Sequence, residues 1–348
     1  MQLTELPEIQ AKVIEHRSYE VTCPLCQTRN AESLPKHLKG ASFGPRLQAL
    51  VAYLAGSKRM SWRSIQTLMQ DVFGLAISQG TIGQCEKRMQ KALNPVRLHA
   101  EQSLQAGRLL GMDETSWRMA GKPGWLWTMG HERLSVFRIT ESRSAKHAKA
   151  MLGEFQGLLS SDRYGGYRFY NVRKRQLCWA HIHREVRAIQ EHDPTGKRLA
   201  TRLDKHIRAM FAQHRRIRDG TMPHDQVDWV MLPIEARIER DLHQATRSRS
   251  KRLRTLAKEL LKLHAALWTY RRIPGAEPTN NLAERNLRHA VLWRKSSLGT
   301  QSETGNRFVE CMLSVQASLT AQHRNIFHFL HRSIEAYLWG KTQPLLTP

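Results

Sequence analysis

Two aspartates each close a short apolar run: Asp113 ends Leu109-Leu110-Gly111-Met112-Asp113, and Asp162 ends Leu158-Leu159-Ser160-Ser161-Asp162. Runs of this length read as buried strands, and the carboxyl ends of strands in an open α/β sheet face a shared crevice. A third acid, Glu284, lies in TNNLAERNLR, a helical stretch just past the breaker Ile273-Pro274-Gly275-Ala276-Glu277-Pro278. Three converging carboxylates can hold two divalent cations about 3.5–4 Å apart, which activate a water or hydroxyl and stabilise the leaving oxygen in phosphodiester chemistry. Hard oxygen donors select magnesium, with manganese as a substitute. Taken singly, each acid is ordinarily a surface residue or a helix cap. What raises them is their order, strand-end Asp, strand-end Asp, helix Glu, in a strongly basic chain.

Around these acids stand candidate supporting groups. Arg285, Arg288 and Arg294 follow Glu284 on its helix and suit phosphate contacts, and Glu284 and Arg288 have the spacing of an i,i+4 pair. Asn280 and Asn281 suit capping of that helix, with lining of the site as the alternative. His181, three residues after Cys178, could orient a carboxylate or phosphate from behind; Cys178 is expected as core packing on a strand. Zinc needs four ligands, and Cys178 with His181 supplies two. The same shortage applies to Cys23-Pro24-Leu25-Cys26, for which His16 and His37 are the nearest nitrogen donors, so zinc there is a possibility beside an unmetallated pair. Tyr164, Tyr167 and Tyr170 could stack on bases or simply pack, and Trp125 and Trp127 read as core. Tyrosine recombinases need an HxxR step that His289-Ala290-Val291-Leu292 lacks, and no serine-recombinase context is present.

The composition sets the partner. Across 348 residues, 55 Lys and Arg against 30 Asp and Glu leave a net charge of +25, which asks for a polyanion. With 41% apolar residues the chain folds rather than staying disordered. Five cysteines, an odd number, argue for a reducing compartment over a disulfide scaffold. There is no apolar run long enough for a membrane span and no signal-peptide order at MQLTELPEIQ. The expectation is a cytoplasmic, nucleoid-associated protein without a membrane partner.

The elements that must position the acids follow from periodicity. Residues 1–40 hold the partial zinc-ribbon-like segment. Residues 41–95 form a small helical domain: Leu47, Leu50, Val51 and Leu54 share a face, as do Ile65, Leu68, Met69 and Val72, and Ser78-Gln79-Gly80-Thr81 opens a further helix after Phe73-Gly74-Leu75. That is helix-turn-helix grammar, with Gln79, Thr81, Gln84, Lys87 and Arg88 on the recognition helix, against the plainer alternative of a helical hairpin. Residues 96–348 read as a mixed α/β domain: strands at 109–113, 124–130 and 134–140, a helix at 145–152, strands at 158–161 and 176–179, then a basic helical insertion at about 184–272. Within the insertion, 237–272 carries 11 Lys and Arg against 3 Asp and Glu, and Leu253, Leu256, Leu260, Leu263 and Leu267 repeat like a coiled-coil seam, compatible with multimer formation. Helices at 279–293, over Phe308 to Leu319 and over Ile326 to Leu338 complete the chain.

Four blocks carry a family resemblance: GMDETSW from Gly111, SDRYGGY from Ser161, Cys178-Trp179-Ala180-His181, and the long PTNNLAERNLRHAVLWRKSSLGTQSETGNRFVECMLSV from Pro278. In this order they resemble the DDE transposases of the insertion-sequence family numbered sixty-six, over nearly the whole chain. The resemblance implies a ribonuclease-H-like catalytic core with a helical insertion before the glutamate, and a metal-binding catalytic triad of Asp113, Asp162 and Glu284 using two magnesium ions. It implies double-stranded DNA as partner (terminal inverted repeats and target), work as a homo-multimer, and accessory proteins of the same element for some members. Family members commonly open with two CxxC pairs; here only Cys23 and Cys26 stand. The implied activity is DNA strand cleavage at element ends and strand transfer into target DNA. The rival is a non-catalytic DNA-binding protein, a decayed copy or an end-binding repressor, for which the charge would be the same. A metal-dependent nuclease that never joins is a third possibility.

Overall fold

The computed structural model describes residues 1–32 and 42–347. In chain order the elements are β1 (Glu20–Thr22), β2 (Arg29–Ala31), α1 (Pro45–Ala52) running into a π-helical turn (Tyr53–Ser57), α2 (Trp62–Phe73), α3 (Gln79–Gln105), β3 (Leu109–Met119), β4 (Lys122–His131), β5 (Leu134–Thr140), α4 (Ala145–Leu152), β6 (Leu158–Ser161), β7 (Arg175–Leu177), α5 (Trp179–His192), α6 (Lys197–Arg218), α7 (Val227–Ala245), α8 (Lys251–Lys262), α9 (Asn281–Ser297), α10 (Glu303–Ala321) and α11 (Ile326–Trp339). The fold is α/β. Five strands form a mixed sheet in the order β5-β4-β3-β6-β7, with β4–β5 antiparallel and β3–β6 and β6–β7 parallel. The chain divides into two compact units, one of residues 1–106, 114–143 and 285–348, the other of 107–113 and 144–284.

In the first unit, local signals place the helices. Ser61 caps α2 by accepting the Ser64 N–H, and Gly74 ends it in the left-handed conformation at φ 61°, which glycine adopts without a Cβ clash. Ser78 caps α3 by accepting the Thr81 N–H at 3.1 Å. The expected boundary at residue 95 falls inside α3, which continues through Pro95 to Gln105. The apolar period explains this: Met89, Ala92, Leu93, Val96, Ala100 and Leu104 are all buried, so packing outweighs the missing proline N–H. Helices α2 and α3 are joined by the Trp62 indole N–H, which donates to Glu86 at 2.7 Å. Burial pushes the Glu86 carboxyl up to about 7, with the Trp62 bond opposing. A raised acid stabilises the fold most below its unfolded value near 4.5, and that stability is lost as pH climbs through about 7. Glu86→Gln keeps an acceptor for Trp62 without the charge. Urea titrations at pH 4 and pH 8 should therefore find equal stability at the lower pH and a more stable variant at the higher.

The sheet edge at β5 is closed by α10. Glu310, Ser314 and Ser318, spaced four apart on one helical face, accept the Ile139, Phe137 and Ser135 N–H groups at 2.7, 3.0 and 3.0 Å. Those alternate N–H groups are the unpaired side of an edge strand, and covering them removes a template for aggregation. All three acceptor residues are fully buried, so a lost acceptor leaves an unsatisfied donor worth about 1–3 kcal/mol. Ser314→Ala with Ser318→Ala should lower the unfolding free energy by about 2–4 kcal/mol in urea titration.

The second unit has its own core among α5, α6, α7 and α8, running from Leu177 to Tyr270. The leucine seam, which the sequence left compatible with multimer formation, is part of this core. Leu253, Leu256, Leu260 and Leu267 are at most 1% exposed, and α8 ends at Lys262, so the repeat serves this chain's own packing. Trp179 packs at a tilt against Trp268, ring centroids 5.1 Å apart, and donates its indole N–H to Leu267 O at 2.7 Å, tying the start of α5 to the turn after α8. No helix among the described residues is long and apolar enough to cross a membrane, and all five cysteines are free.

Candidate active site

Strand register brings the two aspartates side by side. Gly111 pairs with Ser160 in the parallel β3–β6 ladder, and Asp113 and Asp162 each lie two residues further on. The same row continues onto the next strand. Ser161 pairs with Leu177, so Asp162 neighbours Cys178, whose N–H donates to Ser161 O at 2.9 Å. Asp113, Asp162 and Cys178 thus form one row, a span of about 10 Å at the usual strand spacing. Asp162 and Cys178 directly follow β6 and β7, whereas β3 does not end at Asp113 as expected but leaves the β3–β6 ladder there and runs on to Met119. Asp162 is held from two directions. Its Oδ1 accepts the Tyr164 N–H at 2.8 Å, and the buried Arg175 guanidinium donates to Asp162 O at 3.1 Å and to Ser161 Oγ at 2.9 Å. Burial lowers the Arg175 pKa to about 10.

Glu284 reaches the row through Asn280. The Asn280 carbonyl accepts the Glu284 N–H at 3.1 Å, closing the first turn of α9. Its side chain, rather than capping, donates Nδ2–H to Met112 O at 2.7 Å, the residue before Asp113. Its own N–H donates to Cys178 Sγ at 3.2 Å. Gly111 is required here, since a Cβ at that position would sit 2.5 Å from Asn280 Oδ1.

The Glu284 carboxylate faces three side chains of the α5 start. Cys178 Sγ lies 3.6 Å and His181 Nδ1 3.1 Å from Oε1, while Arg184 Nη2 lies 3.2 and 3.3 Å from the two oxygens. The His181 Nδ1 is at ion-pair distance but not aligned as a hydrogen bond. The Cys178 sulfur, then the Glu284 carboxylate, raise the His181 imidazole to about 10, and His181 in turn holds Glu284 below the usual carboxylate range. Cys178 is buried as expected, at 1% exposure, but as the N-cap residue of α5 facing a carboxylate rather than on a strand. The cationic partner of Glu284 is Arg184 in place of Arg288.

The remaining candidates separate. Arg285, Arg288 and Asn281 are exposed. Arg294 is engaged within the protein, donating to Thr115 Oγ1 at 3.3 Å and Ser116 O at 2.5 Å, which makes it a tie between α9 and β3. Gln79, Gln84 and Lys87 are exposed on the first turns of α3, and Thr81 and Arg88 are half-buried. Tyr167 and Trp127 are buried, and the Tyr170 hydroxyl donates to Gly157 O at 2.6 Å, all structural roles. In the hairpin β1–β2, Cys26 is exposed, with its thiol lowered to about 7 by the Thr28 hydroxyl. Among the described residues no third donor joins Cys23 and Cys26; His16 is exposed and His37 lies outside the described residues. Arg175, Arg184 and the Asn280 clamp went unread in the sequence. Arg184 had a signal, since Cys178, His181 and Arg184 recur every three residues.

The family comparison places this chain among transposases. Residues 40–307 match the model for the transposase IS66 family. The chain belongs to that family, which brings with it a transposase-type function, DNA as the partner and the general use of divalent metals. No curated protein matches the chain significantly.

Proposed function

We propose that the chain is a DDE transposase that cuts DNA at element ends and joins the freed 3′-hydroxyl to target DNA, with Asp113, Asp162 and Glu284 as its catalytic carboxylates. The observation that carries this reading is the in-register row of Asp113 and Asp162, to which Asn280 fastens the turn bearing Glu284. Three carboxylates supply hard oxygen donors, a set that fits magnesium or manganese. Bound there, two such ions would supply charge stabilisation at phosphorus and a reactive water or hydroxyl. The protein's own part is placement. Arg175 and Tyr164 fix Asp162, Asn280 fixes the distance from β3 to α9, and Arg184 and His181 orient the Glu284 carboxylate. Misplacing such groups by an ångström is costly in rate.

The strand order, three consecutive strands followed by two parallel ones, supports a ribonuclease-H-like core. A division into an N-terminal segment of residues 1–40, a helical part and a catalytic part with an insertion at about 184–272 belongs to the same reading, the expected step at 95/96 falling inside α3. So do end recognition by the α2–α3 pair through Gln79, Gln84 and Lys87, and assembly as a multimer on DNA. The exposed Arg247, Arg249, Lys251 and Arg252 around the start of α8 suit sequence-independent phosphate contacts, which position a duplex without reading it.

The test pairs wild type with Asp113→Asn on labelled linear DNA carrying the element's own end, with magnesium, manganese or chelator. Metal-dependent cleavage by wild type, lost in a variant that still binds DNA, supports the triad. Joined products separate transposase from nuclease. Equal cleavage by both proteins removes Asp113 from the active site, and a wild type that binds ends without cutting them under any metal favours an end-binding repressor.

A further inference from the structure

Cys178, His181 and Glu284 do more than neighbour one another. One ligand atom from each, Sγ, Nδ1 and a carboxylate oxygen, lies within 4.8 Å of both others, the one such group of three among the described residues. A tetrahedral zinc ion with bonds of about 2.3 Å to sulfur and about 2.1 Å to nitrogen and oxygen sets ligand-to-ligand edges of about 3.6 Å for S–O and about 3.4 Å for N–O. The corresponding separations are 3.6 and 3.1 Å. The donor set is that of a borderline-soft ion, unlike the all-oxygen set expected for magnesium.

Two further observations point to a ligand. The His181 Nδ1 atom is buried and lacks an aligned hydrogen-bond partner although it is aimed at the sulfur and the carboxylate. The sulfur already accepts the Asn280 N–H at 3.2 Å, the kind of outer contact that steadies a metal-bound thiolate. Cys178 and His181 are fixed by one helical turn of α5 and Glu284 by the first turn of α9, so the three donors sit on rigid elements.

We infer that Cys178, His181 and Glu284 form a zinc site with three protein ligands and an open fourth position, sharing Glu284 with the catalytic carboxylates. The sharing rests on the triad reading; the binding does not. Zinc binding here sets the side chain of Glu284 between two kinds of metal chemistry at the end of one strand row.

Cobalt(II), a spectroscopic substitute for zinc, tests the site directly. The full-length Cys23→Ser, Cys26→Ser protein is stripped with chelator and titrated with cobalt, which leaves Cys178 as the thiol with neighbouring metal-ligating groups, since neither Cys85 nor Cys311 belongs to such a group among the described residues. The expected result is a thiolate-to-cobalt charge-transfer band that saturates at one cobalt per chain and is abolished by zinc addition. Adding Cys178→Ser should remove the band, and His181→Asn should weaken cobalt affinity by about tenfold or more while the band persists at saturation. Circular dichroism confirms that each variant folds; if Cys178→Ser does not, the His181→Asn affinity decides. Absence of stoichiometric cobalt, a band that survives Cys178→Ser, or unchanged affinity in His181→Asn overturns the site. Asp113→Asn contributes no ligand and should bind cobalt as before, so a failed zinc site and a failed triad give different results.

Discussion

Asp162→Asn should lower single-turnover, metal-dependent strand cleavage by about a thousandfold or more, the rate equivalent of about 4 kcal/mol. The substitution is nearly isosteric. An asparagine Oδ1 still accepts the Tyr164 N–H, and Arg175 still donates to the residue 162 carbonyl and to Ser161 Oγ, because neither bond uses the charge. What disappears is the negative charge in the middle of the row, between Asp113 on β3 and Cys178 beyond β7. DNA affinity should hold or rise slightly, since an anion is removed from the proposed active site. The urea midpoint should stay close to wild type. Measured together, cleavage rate, binding and midpoint separate a lost catalytic group from a lost fold. A cleavage rate within tenfold of wild type would remove Asp162 from the site.

How far this site could be read from the chain depends on which of its parts leave a local pattern. Asp113 and Asp162 are legible because each terminates an apolar run, and β5, β6 and α4 fall where periodicity places them. The common offset of both aspartates from paired residues is also in the sequence, but only strand pairing turns it into adjacency. The burial of Cys178 is legible and its state is not: as the N-cap of α5, rather than a strand residue, it is buried on a helical face with His181 and Arg184. Arg175 could not be found, because a buried arginine in a three-residue strand breaks the apolar pattern that marks a strand at all. The leucine seam shows the opposite failure. Its heptad spacing is genuine, yet spacing cannot say whether the partner helix belongs to another chain or, as here, to the same one. The serines of α10 are likewise silent in sequence, since small polar residues on a helix give no hint that an edge strand needs their oxygens.

Gly111→Ala should lower cleavage by about a hundredfold and cost about 1–3 kcal/mol of stability, though the new methyl group touches none of the three carboxylates. The added Cβ would fall 2.5 Å from Asn280 Oδ1, so the Asn280 side chain or the start of α9 must move. Either movement loosens the 2.7 Å bond from Asn280 Nδ2 to Met112 O, which holds the turn bearing Glu284 at its distance from Asp113. Backbone strain is not the cause, because Gly111 lies in the β3–β6 ladder, whose conformation alanine adopts freely. The cause is the volume of one methyl group against one amide. A double-mutant cycle with Asn280→Ala isolates it, because the second change removes the clash together with the clamp. Stability of the double variant should lie above the sum of the two single losses, a coupling of about 1 kcal/mol or more between groups in contact. Cleavage should stay low in all three variants, since none retains the Asn280 bond to Met112. Additive stabilities, or cleavage restored in the double variant, would mean that the distance between β3 and α9 is set by something other than this contact.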